Sequence, residues 1–260
     1  MAAELHIGTS GYSFQDWVGP FYPFNWPKNK MLDYYQDRFD TVEINSTYYH
    51  IPHPAVMEKI EAKTPPQFQF MVKIPQQFSH ELKLEHKSVD AFLQAVHPLT
   101  NNGKLKGYLA QFPYRFKYSE KNIKYINDLH RSLDNIPLFI EFRHVSWYHK
   151  QTLEFLKNDQ LGYVIVDAPK LKGLFPYHAH QTTDISYFRL HGRNQANWWD
   201  SGGGDRYDYL YSENELKSFI PDLKYQIEQS SAVYVFFNNC HAGQAVANAE
   251  LLRQLLNLEF

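Results

Sequence analysis

Eight short segments rich in β-branched and aromatic residues recur along this chain, and stretches with helical spacing separate most of them. The strand-like segments are Leu5 to Thr9, Thr41 to Asn45, Phe68 to Ile74, Gly107 to Phe112, Leu138 to Arg143, Gly162 to Asp167, Ile185 to His191 and Ala232 to Asn238. Helical spacing runs over Lys28 to Phe39, Ala55 to Lys63, Ser88 to Leu99, Glu120 to Leu133, Lys150 to Asp159, Glu213 to Gln229 and Gln244 to Leu256. Ser119 and Ser212 are candidate N-caps, and Pro54 suits a first helical turn. Strict alternation of this kind implies a parallel sheet. Eight units in 260 residues match a closed α/β architecture, the (β/α)8 or TIM barrel, whereas a doubly wound sheet would use fewer strands. No linker or charge block divides the chain, so one barrel domain over residues 1–260 is expected. After the sixth strand, Ala168 to Asp184 contains Pro169, Gly173 and Pro176 and no apolar face, so the sixth helix is expected to be short or replaced by a loop.

Composition narrows the class of function. The chain carries 26 Lys plus Arg against 28 Asp plus Glu, a net charge of −2, which gives no global nucleic-acid footprint. The longest apolar stretches, such as Ala232 to Phe237, have the length of a strand and fall far short of the ~20 residues of a membrane span. Met1 to Ile7 lacks the basic head and long apolar segment of a secretory signal, and the one cysteine, Cys240, excludes an intrachain disulfide. A soluble cytoplasmic protein is the expectation. Gly8-Thr9-Ser10-Gly11 after the first strand lacks the dinucleotide spacing, and no cofactor is expected.

In a barrel of this kind chemistry sits at the C-terminal ends of the strands, and here those ends are polar. They carry Glu43 and Asn45, Lys73, Gln111, Glu141 and Arg143, Asp167, Arg189 and His191, then Asn238 and Asn239. Residues two apart on a strand share a face, so a mutually neutralising ring of carboxylates and cations at one mouth is expected, the economical way to bury such groups. Glu141, His191 and Asp167 are the candidates for moving protons. Glu43, Asn45, Lys73, Arg143, Arg189, Arg193, Asn194, Asn238 and Trp198 are the candidates for binding a ligand. The loops His191 to Asn194 and Asn238 to Gly243 read as anion cradles, with Arg193 adding a forked contact. Aromatic residues crowd two loops of the same face. The first carries Tyr12, Phe14, Trp17, Phe21, Tyr22, Phe24 and Trp26; the second carries Trp198, Trp199, Arg206, Tyr207, Tyr209 and Tyr211, with Gly202 to Gly204 supplying mobility. Glu141, Asp167 and His191 together have the donor types for a divalent ion, but Arg143 and Arg189 compete with a cation, so no metal is expected. Three carboxylates, Glu43, Glu141 and Asp167, face four cations, Lys73, Arg143, Arg189 and Arg193, and an anion is the natural guest, held beside Arg189 and Arg193.

Several motifs resemble a known family. They are Gly8-Thr9-Ser10-Gly11-Tyr12 with Asp16-Trp17 and Phe21-Tyr22-Pro23, then Phe39 to Tyr49, Phe188 to Asn194, Arg206 to Tyr211, and Phe237-Asn238-Asn239 with Ala245 to Ala249. In order and over nearly the whole chain, they resemble the YecE-like family, a domain of unknown function (number 72) with a TIM-barrel fold. The resemblance implies the fold and carries no settled activity. A more distant likeness, to the endonuclease IV and xylose isomerase superfamily, would put metal ligands at Glu141, Asp167 and His191; the neutral Gln111 and Asn238 and the added arginines depart from it. The expected function is therefore binding of a small anionic or phosphorylated ligand at the C-terminal mouth, with hydrolase, lyase or isomerase chemistry open. The alternative is a nucleic-acid-binding or processing protein using the aromatic loops to stack bases.

Overall fold

The computed structural model describes residues 3–199 and 205–257. Eight strands form one all-parallel sheet: β1 Glu4–Thr9, β2 Thr41–Ile44, β3 Gln69–Lys73, β4 Leu105–Gln111, β5 Leu138–Glu141, β6 Gly162–Asp167, β7 Ile185–Leu190 and β8 Ala232–Phe237. They pair in the order β1-β8-β7-β6-β5-β4-β3-β2. The seam between β1 and β2 is drawn together by a parallel bridge of Ser10 with Glu43 and by the Gly11 N–H donating to the Glu43 carbonyl at 2.8 Å. Gly8 makes that approach feasible, since a Cβ there would stand 2.4 Å from the carbonyl oxygen of Thr41. The result is the (β/α)8, or TIM, barrel that the alternation implied.

The barrel interior is filled by inward-facing side chains, among them Met71, Leu109, Phe139, Val164, Tyr187 and Phe236. A second apolar layer lies between the strands and the surrounding helices. Among the described residues the helices are α1 Met31–Tyr35, α2 Ser46–Tyr49, α3 Pro54–Ala62, α4 Gln76–Ser79, α5 His86–Asn101, α6 Glu120–Ser132, α7 Lys150–Asn158, α8 Glu213–Gln229 and α9 Gln244–Leu255. The Ser119 hydroxyl accepts from the Asn122 N–H at the start of α6, and Ser212 forms a reciprocal capping box with Glu215 at the start of α8. Pro54 occupies the first turn of α3. Between β6 and β7 no helix forms over residues 168–184, as the proline and glycine content implied. The one-turn helices α2 and α4, directly after β2 and β3, are too short to leave a periodic signal.

The two aromatic loops divide their labour. Trp17 and Tyr22 turn inward as packing, with Trp17 Nε1 donating to the Cys240 carbonyl at 2.6 Å and Tyr22 donating to the Tyr12 carbonyl at 2.5 Å. Tyr12 and Phe14 remain at the mouth. Gly202 to Gly204, expected to make the second loop mobile, lie outside the described residues. None of the described helices is long and apolar enough to cross a membrane.

Candidate functional site

Arg189, on β7, organises the barrel mouth. Its side chain is buried, and it reaches across the barrel to grip Glu43 of β2 with two nitrogens, Nε to Oε2 at 2.8 Å and Nη2 to Oε1 at 2.7 Å. The third nitrogen, Nη1, bonds Glu141 of β5 at 2.5 Å. Tyr187, one inward position below Arg189, donates to the same Glu43 carboxylate at 2.5 Å, and Asn45 donates to it at 2.8 Å. Burial alone would raise both carboxylates, but Arg189 holds Glu43 below the ordinary carboxylate range, and Arg143 with Arg189 holds Glu141 well below it. Both glutamates are therefore ionised and fully engaged.

Beside this core, Arg143 pairs through Nε with Glu141 at 2.6 Å. His191 is fully buried: Asn238 Nδ2 lies 2.8 Å from its Nδ1, and its Nε2 lies 3.2 Å from Glu141 Oε1. Burial and then the guanidinium of Arg143, whose Nη2 lies 3.1 Å from Nε2, press the imidazole down to about 3. It is neutral at physiological pH. Trp198 is buried above the pair, its ring 5.6 Å from the Arg143 guanidinium and 6.4 Å from His191. Its place is over the network, as a cover.

Above the network opens a cavity of about 690 Å³ bordered by Tyr12 and Phe14 from the loop after β1, Asn45 and Tyr48 after β2, Lys73, Gln111, Arg189, Asn238 and Cys240. Lys73 ends β3 and is partly exposed through this cavity. Its Nζ donates to Gln111 Oε1 at 2.9 Å and sits 4.2 Å from the centre of the Tyr48 ring, and among the described residues no carboxylate pairs with it. Burial, then the charge of Arg189, pulls Lys73 down to about 7. Burial pushes the Cys240 thiol up, so Cys240 stays protonated and packs as a small apolar group.

The structure brings Glu43, Asn45, Lys73, Glu141, Arg143, Arg189, His191 and Asn238 to one mouth, and it separates three expected members from them. Asp167 follows the inward-facing Val164 and Val166 out of phase and points outward, accepting from Tyr211 at 2.7 Å. Arg193, expected to hold the anion, is instead clamped on Asp167, Nε to Oδ2 at 2.9 Å and Nη2 to Oδ1 at 2.9 Å, and on Glu215 of α8 at 3.2 Å. Gly192, at φ +86°, turns the chain out of the strand alternation and sends Arg193 to that outer layer. Asn194 braces its loop by donating to the Asp208 carbonyl at 3.1 Å.

The two expected cradles are also occupied from within. The Gly192 N–H donates to the Tyr211 hydroxyl at 2.8 Å, and the Ala242 N–H donates to the Asp16 carboxylate at 2.7 Å. Sequence reasoning did not single out Ser10, Tyr48 or Gln111 as binding residues, although Asn45-Ser46-Thr47-Tyr48-Tyr49 and a lone Lys73 closing an apolar strand were signals in view. Among the described residues, no group of three or more His, Cys, Asp or Glu is placed to hold a metal ion.

Fold and mouth together define a (β/α)8 barrel with a buried, ion-paired floor and an open cavity at its C-terminal face. The chain belongs to the family described as Protein of unknown function DUF72, whose profile matches residues 6–260. It is 30% identical to the UPF0759 protein YunF of Bacillus subtilis, over 98% of this chain and 96% of that protein. A DUF72 family protein from Thermotoga maritima has a crystal structure that superposes with a TM-score of 0.91 at 43% identity, covering 98% of this chain and 99% of that one. Another, from Enterococcus faecalis, superposes at 0.89 with 27% identity, covering 98% and 96%.

Proposed function

We propose that the cavity at the C-terminal mouth binds a small anionic ligand, a carboxylate or phosphate compound, with Lys73 as its principal contact and Arg189 at its floor. One observation carries the reading. In the ion network of the mouth two carboxylates, Glu43 and Glu141, are matched by the two guanidinium groups of Arg189 and Arg143; Lys73 faces the cavity outside those pairs, and the third carboxylate of the cavity wall, Asp16, accepts from the Ala242 N–H. An anion supplies the missing partner in a recess where charges are weakly screened. Glu141 and His191 act from beneath by fixing Arg189 and Arg143, and Asp167 and Arg193 act at a distance by fixing the loop after β7. The reading assigns proton transfer to none of Glu141, His191 and Asp167.

Calorimetric titration with inorganic phosphate and with small dicarboxylates tests it. Saturable binding is expected, weakened about tenfold or more in Lys73→Met, the scale of one charge-assisted hydrogen bond. Rings stand exposed on several loops of this face, including Phe24, Tyr49, Tyr114 and Trp199. Tight, steeply salt-dependent binding of short single-stranded oligonucleotides that phosphate does not displace would overturn the small-ligand reading in favour of a nucleic-acid surface.

A further inference from the structure

We propose that Lys73 is a nucleophile that forms a Schiff base with a small aldehyde or ketone carrying a carboxylate or phosphate group, a conclusion that rests on the anion-binding reading of the same cavity. The argument begins with what surrounds the amine. Glu43 of β2 and Glu141 of β5 are the acids of the network beside it, and Arg189 and Arg143 already hold both; Asp16, in the loop after β1, lines the same cavity and accepts from the Ala242 N–H at 2.7 Å. Arg189 and Arg143 are themselves positive and oppose a further charge on Lys73. Gln111 of β4 offers a neutral oxygen and Tyr48 of α2 an aromatic face. His80, after α4, adds no negative charge, and burial and then Lys73 itself press its imidazole down to about 4.

An amine so placed is not built as a permanent half of an ion pair. It lies at the end of a strand, on a rigid element, and its side chain lines a cavity of about 690 Å³. With burial drawing it down to about 7, a substantial fraction carries a free lone pair at neutral pH. The fraction of Lys73 that remains protonated attracts a carbonyl compound that also bears an anion, and the neutral fraction reacts with it.

The step balances without an oxidant or reductant. The Lys73 lone pair adds to the carbonyl carbon, and a proton passes from nitrogen to the carbonyl oxygen to give the carbinolamine. That hydroxyl takes one further proton from solvent and leaves as water, and the C–N bond becomes a protonated imine.

Glyoxylate, the smallest aldehyde that carries a carboxylate, is the probe. The intact protein is incubated at neutral pH with glyoxylate and cyanoborohydride, which reduces an imine to a stable secondary amine, and the modified lysines are located by peptide mass spectrometry. Lys73 is expected to be carboxymethylated more than about tenfold faster than exposed lysines such as Lys150 and Lys217. Its rate is expected to bend near pH 7, and inorganic phosphate is expected to slow it. Lys73 remaining unmodified while the exposed lysines react overturns the inference. If phosphate still binds in that case, the anion reading stands alone; if phosphate does not bind and Lys73 does not react, both fall.

Discussion

Lys73 has a thermodynamic signature separate from any chemistry. Its folded value of about 7 lies below the 10.5 of a free lysine, so between those values the unfolded chain binds the extra proton. Stability from this group is therefore fully present above about pH 10.5 and is lost as pH falls toward 7. Within that window the slope approaches about 1.4 kcal/mol per pH unit for one proton. Denaturant unfolding of the wild type across pH 7 to 10 is expected to show this rise on top of the other titrations, and Lys73→Met is expected to lack it. Arg193 carries a different expectation. Removing it leaves Asp167, which is 3% exposed, with only the Tyr211 hydroxyl of its present side-chain partners. Arg193→Ala is expected to destabilise the fold by about 2–3 kcal/mol in chemical denaturation, with phosphate affinity at the mouth unchanged.

At the scale of elements, the strands and long helices could be read from the chain because each carries a period: β6 and α8 fall on the residues the spacing predicted, Gly162–Asp167 and Glu213–Gln229. What could not be read is which way a strand faces. A strand buried on both sides is apolar at every position, so Gly-Tyr-Val-Ile-Val-Asp does not say whether Asp167 points into the barrel or out of it. That one parity decided Arg193 as well, since the arginine follows the aspartate. The mouth residues Glu43, Lys73, Glu141 and Arg189 were legible for the converse reason: each is a charge at the last or next-to-last position of a largely apolar strand. Closure of the sheet rests on a smaller feature. Gly8→Ala would force the Thr41 backbone away from β1, and a loss of about 1–3 kcal/mol, the usual scale of overpacking, is expected in urea denaturation.

For the whole molecule, family membership settles the architecture and leaves the chemistry to the mouth, where the floor is an ion network and the working surface is the cavity above it. That floor also constrains how the molecule comes into being. Arg189 and Glu43 are separated by 146 residues of chain, and a ribosome delivers Glu43 first. Until β7 has emerged, Glu43 and Glu141 have no Arg189, and burying an uncompensated carboxylate is strongly unfavourable. A nascent half-barrel therefore has reason to stay open at its mouth, with its acids in water. The long-range contacts that define the site form late, when the last strands arrive to join the first. The network is thus also a checkpoint on assembly, which lets the mouth become dry only in a chain that has all its strands.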